Sequence, residues 1–278
     1  MSGGGWAEWL ITHGRADEAA VAQAERVLEA AALRPGDTVL DLGAGLGLLT
    51  LATHDRIGDG WVIAVDPSVG ALEELLRLAH EAGANGIMYL VGDAEVLPLP
   101  DAQVDVVVAR SVLVHVDDTA AVVHELARVL RPGGRLSLRE PLNRAGTYLS
   151  TAVDWSPLGA LGARVVELWE EAAAADPLLH LDADVLAAQL AGAGFAAVDA
   201  AVEDPGEEWL VTEDSVAERL DATGGPGLPS LRERWRAALT PAEVDELVAH
   251  LRTLTGTTVR FRRPQLFLAA RLPGEPGA

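Results

Sequence analysis

The sequence predicts an α/β chain built on a doubly wound, mostly parallel sheet with helical insertions. Three observations lead there. Short apolar runs alternate with helical patterns from residue 17 to residue 138, the mark of strand–helix–strand units. The first apolar run ends in Gly43-Ala44-Gly45-Leu46-Gly47, whose glycines permit a sharp strand-to-helix turn. After Glu140 the alternation gives way to longer helical stretches and resumes near 182.

The elements follow in order. Residues 17–33 place Val21, Ala24, Val27, Leu28 and Ala31 at helical spacing, and Arg34-Pro35-Gly36-Asp37 ends the helix. Thr38–Leu42 reads as a buried strand and 47–57 as the helix after it. Trp61–Val65 is a second strand, ending at Asp66-Pro67. A helix over 69–82, a strand over 87–91, a loop through Pro98 and Pro100, a strand at Val104–Ala109, a helix over 118–130 and a strand at Arg135–Leu138 complete the series. Right-handed crossovers align the strand C-termini on one edge, where ligands bind in such sheets. Two insertions are expected, at 141–180 and 204–257. The first holds Trp155, Pro157 and a helix near 163–175. The second holds helices near 213–221, 229–239 and 241–254, the last opened by Thr240-Pro241-Ala242-Glu243. Between them lie a helix at 182–193 and a strand at 195–202. A last strand near Val259–Ala270 is rich in arginine and is expected at an edge or facing the surface. The organisation read from this is an N-terminal helical cap segment (1–34), a core (35–140), and the rest of the sheet with its helical cap insertions (141–278).

Composition narrows the chemistry. Of 278 residues 49% are hydrophobic but only 4% aromatic, so Leu, Val and Ala fill a sizeable core. The net charge of −21 disfavours nucleic acid and anionic membrane surfaces as partners. All 21 basic residues are arginine, and there is no cysteine. Schiff-base lysine chemistry, a Walker A lysine, thiolate nucleophiles, disulfides and cysteine metal sites are excluded. No apolar run approaches the ~18 residues of a membrane helix, and residues 1–20 lack the basic region of a signal peptide. A cytoplasmic protein is expected, with a homodimer among its expected states.

The spacing of the glycine turn separates cofactor classes. A dinucleotide fingerprint needs glycine at 43, 45 and 48, but position 48 is Leu and the third glycine is Gly47. Further signals follow in order: Asp41 in the first strand, Asp66 at the end of the second, Gly92-Asp93-Ala94-Glu95 after the third, Arg110-Ser111 at the end of the fourth, and Leu130-Arg-Pro-Gly-Gly134 before the fifth. Together, over roughly residues 35–140, they resemble class I S-adenosylmethionine-dependent methyltransferases. The resemblance implies a Rossmann-like sheet of seven strands, the last antiparallel. It implies S-adenosylmethionine as cofactor, with S-adenosylhomocysteine as product. It also implies a cofactor site at Asp41, Gly43, Ala44 and Gly45, with Asp66 and Pro67 at the ribose, Asp93 and Ala94 at the adenine, and Arg110 nearby. In similar enzymes a segment before the glycine turn covers the cofactor mouth. Trp6, Trp9, Leu10 and His13 share one helical face there, and Arg15 is placed to pair with the cofactor's carboxylate.

On the acceptor side the candidates are His115, as a base for a protic acceptor, and Glu140, as a base or an orienting acid. Asn143, Arg144 and Tyr148 follow in an expected pocket wall. No metal is expected. His115, Asp117 and a distant His124 or His180 imitate a two-His, one-carboxylate set, but N-capping accounts for Asp117 and Asp118. The apolar insertions suggest a small, partly apolar organic acceptor in bacterial specialised metabolism. Three other readings stay open: non-methylating chemistry on the same fold (decarboxylation, hydroxylation or a pericyclic step), a non-catalytic cofactor-binding regulator, and a nicotinamide dehydrogenase.

Overall fold

A computed structural model describes residues 17–222 and 229–274. Helix α1 (Glu18–Ala31) is capped by the Asp17 side chain on the N–H of Ala20 and buries Ala24, Val27, Leu28 and Ala31, the stripe its spacing predicts. Then come β1 (Thr38–Leu42), α2 (Leu48–Ile57), β2 (Trp61–Asp66), α3 (Val69–Ala82), β3 (Ile87–Val91), β4 (Val104–Arg110), α4 (Thr119–Val129) and β5 (Leu130–Pro141). The strands of this series are short and dense in Val, Leu and Ile, and β1, β2 and β4 are buried along nearly their whole length, as parallel strands covered on both faces must be. Asp118 caps α4 through the N–H groups of Ala120 and Ala121.

Further along the chain, α5 (Leu149–Ala152), α6 (Ala160–Ala175), α7 (Ala183–Gly192), β6 (Ala196–Glu203), β7 (Glu207–Leu210), α8 (Glu213–Asp221), α9 (Leu231–Ala238), α10 (Pro241–Thr253), β8 (Thr258–Phe261) and β9 (Gln265–Arg271) follow. The main sheet has seven strands in the order β3-β2-β1-β4-β5-β9-β6. The first five are mutually parallel, and β9 runs antiparallel to both β5 and β6. The strand order reverses between β1 and β4, the switch point at which such sheets open a ligand crevice.

Two expectations need correction. The segment near Val259–Ala270 is not one strand. Arg262, Arg263 and Pro264 interrupt it, and proline cannot donate to a ladder. Its second half, β9, is not an edge: it lies between β5 and β6, and Leu266, Phe267 and Leu268 are buried. Three of the arginines that suggested a surface, Arg260, Arg262 and Arg263, lie in or just after β8. The second insertion is therefore not all helix, because β7 lies within it and pairs antiparallel with β8, which follows directly after it.

The chain divides into two compact units. One comprises the sheet and its helices up to Arg144, with His180–Glu203 and the segment from Gln265. The other comprises Ala145–Leu179 and Asp204–Pro264. Its core gathers Trp155, Trp209, Trp235, Leu247, Leu251 and Phe261, with Trp155 and Trp235 edge to face at 5.9 Å. Thr240 and Glu243 form the capping box read at the start of α10. Among the described residues no helix is long and apolar enough to cross a membrane, and no group of His, Asp and Glu could hold a metal ion. Trp6, Trp9, Leu10, His13 and Arg15 lie outside the described residues.

Candidate active site

The glycine turn hangs from β2. The N–H groups of Gly43 and Ala44 both donate to the carbonyl of Val65, at 2.8 and 3.0 Å. Gly43 (φ 66°) and Gly47 (φ 89°) occupy the left-handed region, and both are tightly packed. A Cβ on Gly43 would stand 2.4 Å from Val112 Cγ2, and one on Gly47 would stand 2.1 Å from Leu75 Cδ1. Gly47 is the N-cap of α2 and supplies no side-chain cap, so the first N–H groups of that helix are left for a ligand or water.

A cavity of about 480 Å³ opens at this turn. It is lined by Asp41, Gly43, Ala44, Gly45, Leu46, Leu48 and Leu49, together with Asp17 and Ala20 of the α1 start and Arg110 and Ser111 of the β4 end. The volume falls in the range of ~300–1,000 Å³ usual for small-molecule sites. Asp41 is buried and accepts the Thr50 hydroxyl at 2.5 Å. Burial pushes its carboxyl up to about 7, opposed by the bond from Thr50. Arg110 donates from Nε to Gln23 Oε1 at 3.2 Å, and burial lowers its pKa.

The cavity wall thus brings together Asp41, Gly43, Ala44, Gly45 and Arg110. Other expected residues stand outside that wall. Asp66 adjoins it through the turn: its Oδ2 accepts the N–H of Gly45 at 2.8 Å and its Oδ1 that of Ser68 at 2.9 Å. Pro67 is exposed beside it. Asp93 is exposed and caps its own loop, accepting the N–H of Glu95 at 3.0 Å, while Ala94 is buried. His115 is exposed on the single turn Leu113–His115.

Glu140, expected as a base or an orienting acid, is not among the residues lining the cavity. Its side chain is fully buried and accepts three backbone N–H groups, from Val112 at 2.8 Å, Leu113 at 3.0 Å and Val114 at 3.2 Å. Burial raises its carboxyl to about 7 against the pull of those bonds. Both oxygens are committed to the loop after β4, so Glu140 positions that loop.

Sequence reasoning passed over Asp17, Ser111 and Arg139. Asp17 looked only like a helix start. Ser111 sits at φ 58° in the cavity wall, a rare conformation for a residue with a side chain. Its N–H donates to the carbonyl of Arg139 at 2.8 Å, and Arg139 Nη1 donates to its hydroxyl at 2.9 Å. The one available signal was position, since both residues follow apolar runs on the ligand edge.

A family model described as "Methyltransferase domain" matches residues 40–138. The chain is 31% identical over 179 residues to the ubiquinone/menaquinone biosynthesis C-methyltransferase UbiE of Shewanella frigidimarina, covering 62% of this chain and 71% of that protein. It is 31% identical over 124 residues to the aklanonic acid methyltransferase DauC of a Streptomyces species, covering 44% of this chain and 56% of that one. Among solved structures it resembles a putative methyltransferase from Bacillus halodurans at 20% identity with a TM-score of 0.58, covering 91% of this chain and 99% of that one; at that identity the likeness is one of fold. The matching family model and the similarity to UbiE across 71% of that protein's length carry the assignment: this chain belongs to the S-adenosylmethionine-dependent methyltransferases.

Proposed function

We propose that the chain methylates a small, partly apolar organic acceptor in bacterial specialised metabolism, holding S-adenosylmethionine in the cavity at the glycine turn. The observation that carries this reading is the cavity itself. Its lining combines three small residues, Gly43, Ala44 and Gly45, with charged side chains of opposite sign, Asp17 and Arg110. That donor set suits an amino-acid end bearing both an ammonium and a carboxylate. A side chain on Gly43 would collide with Val112, so packing against the loop after β4 requires a glycine at that point of the turn.

When bound, the cofactor supplies a methyl group already activated on a sulfonium. The residues of this chain then have mainly to orient and to exclude water. The N–H groups at the α2 start, which no side chain of Gly47 caps, are left for the ligand. Asp66 accepts hydrogen bonds from ribose hydroxyls with the lone pairs that Gly45 and Ser68 leave unused. Arg110 takes the amino-acid carboxylate. Glu140 holds the loop from Val112 to Val114 in place through its three N–H groups. His115, exposed at the end of that loop, is placed to take the proton of a hydroxyl acceptor. The similarity to an enzyme named for aklanonic acid supports an organic acceptor of this class.

The test is stoichiometric. The purified protein is incubated with S-adenosylmethionine and a panel of small aromatic and aliphatic acceptors, and both products are followed by mass spectrometry. One S-adenosylhomocysteine per methylated acceptor is expected. Turnover of an acceptor with the cofactor left intact would move the assignment to non-methylating chemistry, and binding without turnover to a regulator.

A further inference from the structure

Along the C-terminal edge of the main sheet, charge changes sign at the switch point. In the order β3, β2, β1, β4, β5, that edge carries Asp93 after β3, Asp66 at the end of β2, the glycine turn after β1, Arg110 at the end of β4 and Arg139 near the end of β5. Arg110 and Arg139 are register partners on parallel neighbours. Their side chains therefore leave the same face, on strands roughly 4.8 Å apart.

Two adjacent, half-buried guanidinium groups are costly without an anion. Elsewhere the described half-buried arginines have acid partners: Arg135 with Asp37, Arg128 with Glu125 and Asp101, and Arg219 with Glu207. Arg110 and Arg139 have none among the described residues. Arg110 meets Gln23, and Arg139 meets Gln265 Oε1 at 2.8 Å and Ser111 Oγ at 2.9 Å. The carboxylates whose fields reach them are engaged elsewhere, Asp17 on the N–H of Ala20 and Glu140 on three backbone N–H groups. Burial and the neighbouring Arg110 draw Arg139 down to about 10, which leaves it charged at neutral pH.

The two cations differ in place. Arg110 lines the cavity at the glycine turn, whereas Arg139 is one strand farther from β1 and, among the described residues, hydrogen-bonds to the cavity lining at Ser111. One anion, the cofactor's carboxylate, neutralises Arg110. The second cation stands on β5, one strand beyond the residues that line the cavity, and has no anion of its own among the described residues. We propose that Arg139 anchors a carboxylate carried by the methyl acceptor, so that the acceptor is an organic acid; this rests on the reading of the adjoining cavity as the cofactor site. The anchoring group is a binding handle, and the atom that receives the methyl is a separate matter.

The experiment titrates two carboxylate probes, benzoate and decanoate, against their neutral counterparts benzyl alcohol and decanol. It is done by calorimetry and saturation-transfer NMR, with and without saturating S-adenosylhomocysteine. At least one carboxylate is expected to bind tenfold or more tightly than its neutral counterpart. Arg139→Gln should abolish that preference and leave S-adenosylhomocysteine affinity within twofold, whereas Arg110→Gln should weaken S-adenosylhomocysteine. No preference in the wild type overturns the proposal. So does a preference that survives Arg139→Gln, or an equal loss of cofactor affinity in that variant. Should Arg139→Gln fail to fold, phenylglyoxal modification of the wild type gives the same answer. Peptide mass spectrometry should show Arg139 protected by the carboxylate and not by the alcohol, and equal labelling sinks the idea. A wild type that binds no S-adenosylhomocysteine fails the cofactor reading instead, and the probe titration without it still reports on Arg139.

Discussion

Asp66 Oδ2 accepts the backbone N–H of Gly45 at 2.8 Å, so the tip of β2 and the turn after β1 are held as one piece. The same carboxylate accepts the N–H of Ser68 through its other oxygen. Asp66→Ala strands both donors and removes the acceptor proposed for the ribose. The expected loss in S-adenosylhomocysteine affinity is about 1–3 kcal/mol, or roughly 5- to 150-fold. Calorimetry reads it directly, and an unchanged Kd would count against that role.

The glycines of the turn are not equivalent. Gly47→Ala drives a Cβ to 2.1 Å from Leu75 Cδ1 at φ 89°, whereas a Cβ on Gly45 meets nothing nearer than 4.0 Å, at φ 52°. Gly45→Ala therefore carries the left-handed backbone penalty of about 1–2 kcal/mol alone. Gly47→Ala adds overpacking of about 1–3 kcal/mol. Thermal melts of the two variants should place Gly47→Ala below Gly45→Ala by several degrees, and the reverse order would refute the packing argument.

Asp41 carries its proton up to about pH 7 in the folded chain, against an ordinary value of 3.8. Between those values the folded protein binds a proton that the unfolded chain has released. The stability that comes from keeping this carboxyl neutral is complete below about pH 4 and lost as pH rises through 7. Glu140, raised from 4.5 to about 7, acts in the same direction. Asp41→Asn is neutral at every pH, so its midpoint in urea should fall less steeply than the wild type's between pH 5 and 8. Parallel curves would show that Asp41 is ionised throughout.

Glu140 and His115 should separate cleanly by readout. Glu140→Ala leaves the N–H groups of Val112, Leu113 and Val114 without their buried acceptor. Each stranded group costs about 1–3 kcal/mol, so the melting temperature should drop. His115 is exposed, and His115→Ala should leave the melting temperature alone while lowering kcat for hydroxyl acceptors. A stable, inactive Glu140→Ala variant would restore that carboxyl as the base.

Much of the sheet was legible in the sequence because its strands are short, apolar and punctuated. Thr38–Leu42, Trp61–Asp66 and Ile87–Val91 each end in a glycine or an acid that stops the run, and the helices between them carry periodic Leu and Val. Gly43, Ala44 and Gly45 were legible for a related reason, since a turn that needs φ above zero advertises itself in composition. Two things were hidden. The break at Arg262-Arg263-Pro264 is a single proline within a continuous run, and nothing local says that the strand after it enters the middle of the sheet. Glu140 and Arg139 were also opaque. Adjacent residues on a strand face opposite ways, so one became a buried acceptor for a distant loop and the other a cation on the ligand edge. Which was which depended on partners 26 or more residues away.

The place of β9 has a consequence for how the chain is made. β5 and β6 are joined only through β9, which begins at Gln265. Until the ribosome has delivered that stretch, a nascent chain holds two unpaired borders, one on β5 and one on β6, with the apolar Leu266, Phe267 and Leu268 still missing from the interior. Open borders of this kind are templates for joining other chains. A stop codon shortly before residue 265 should therefore yield inclusion bodies, whereas one just after Arg271 should not.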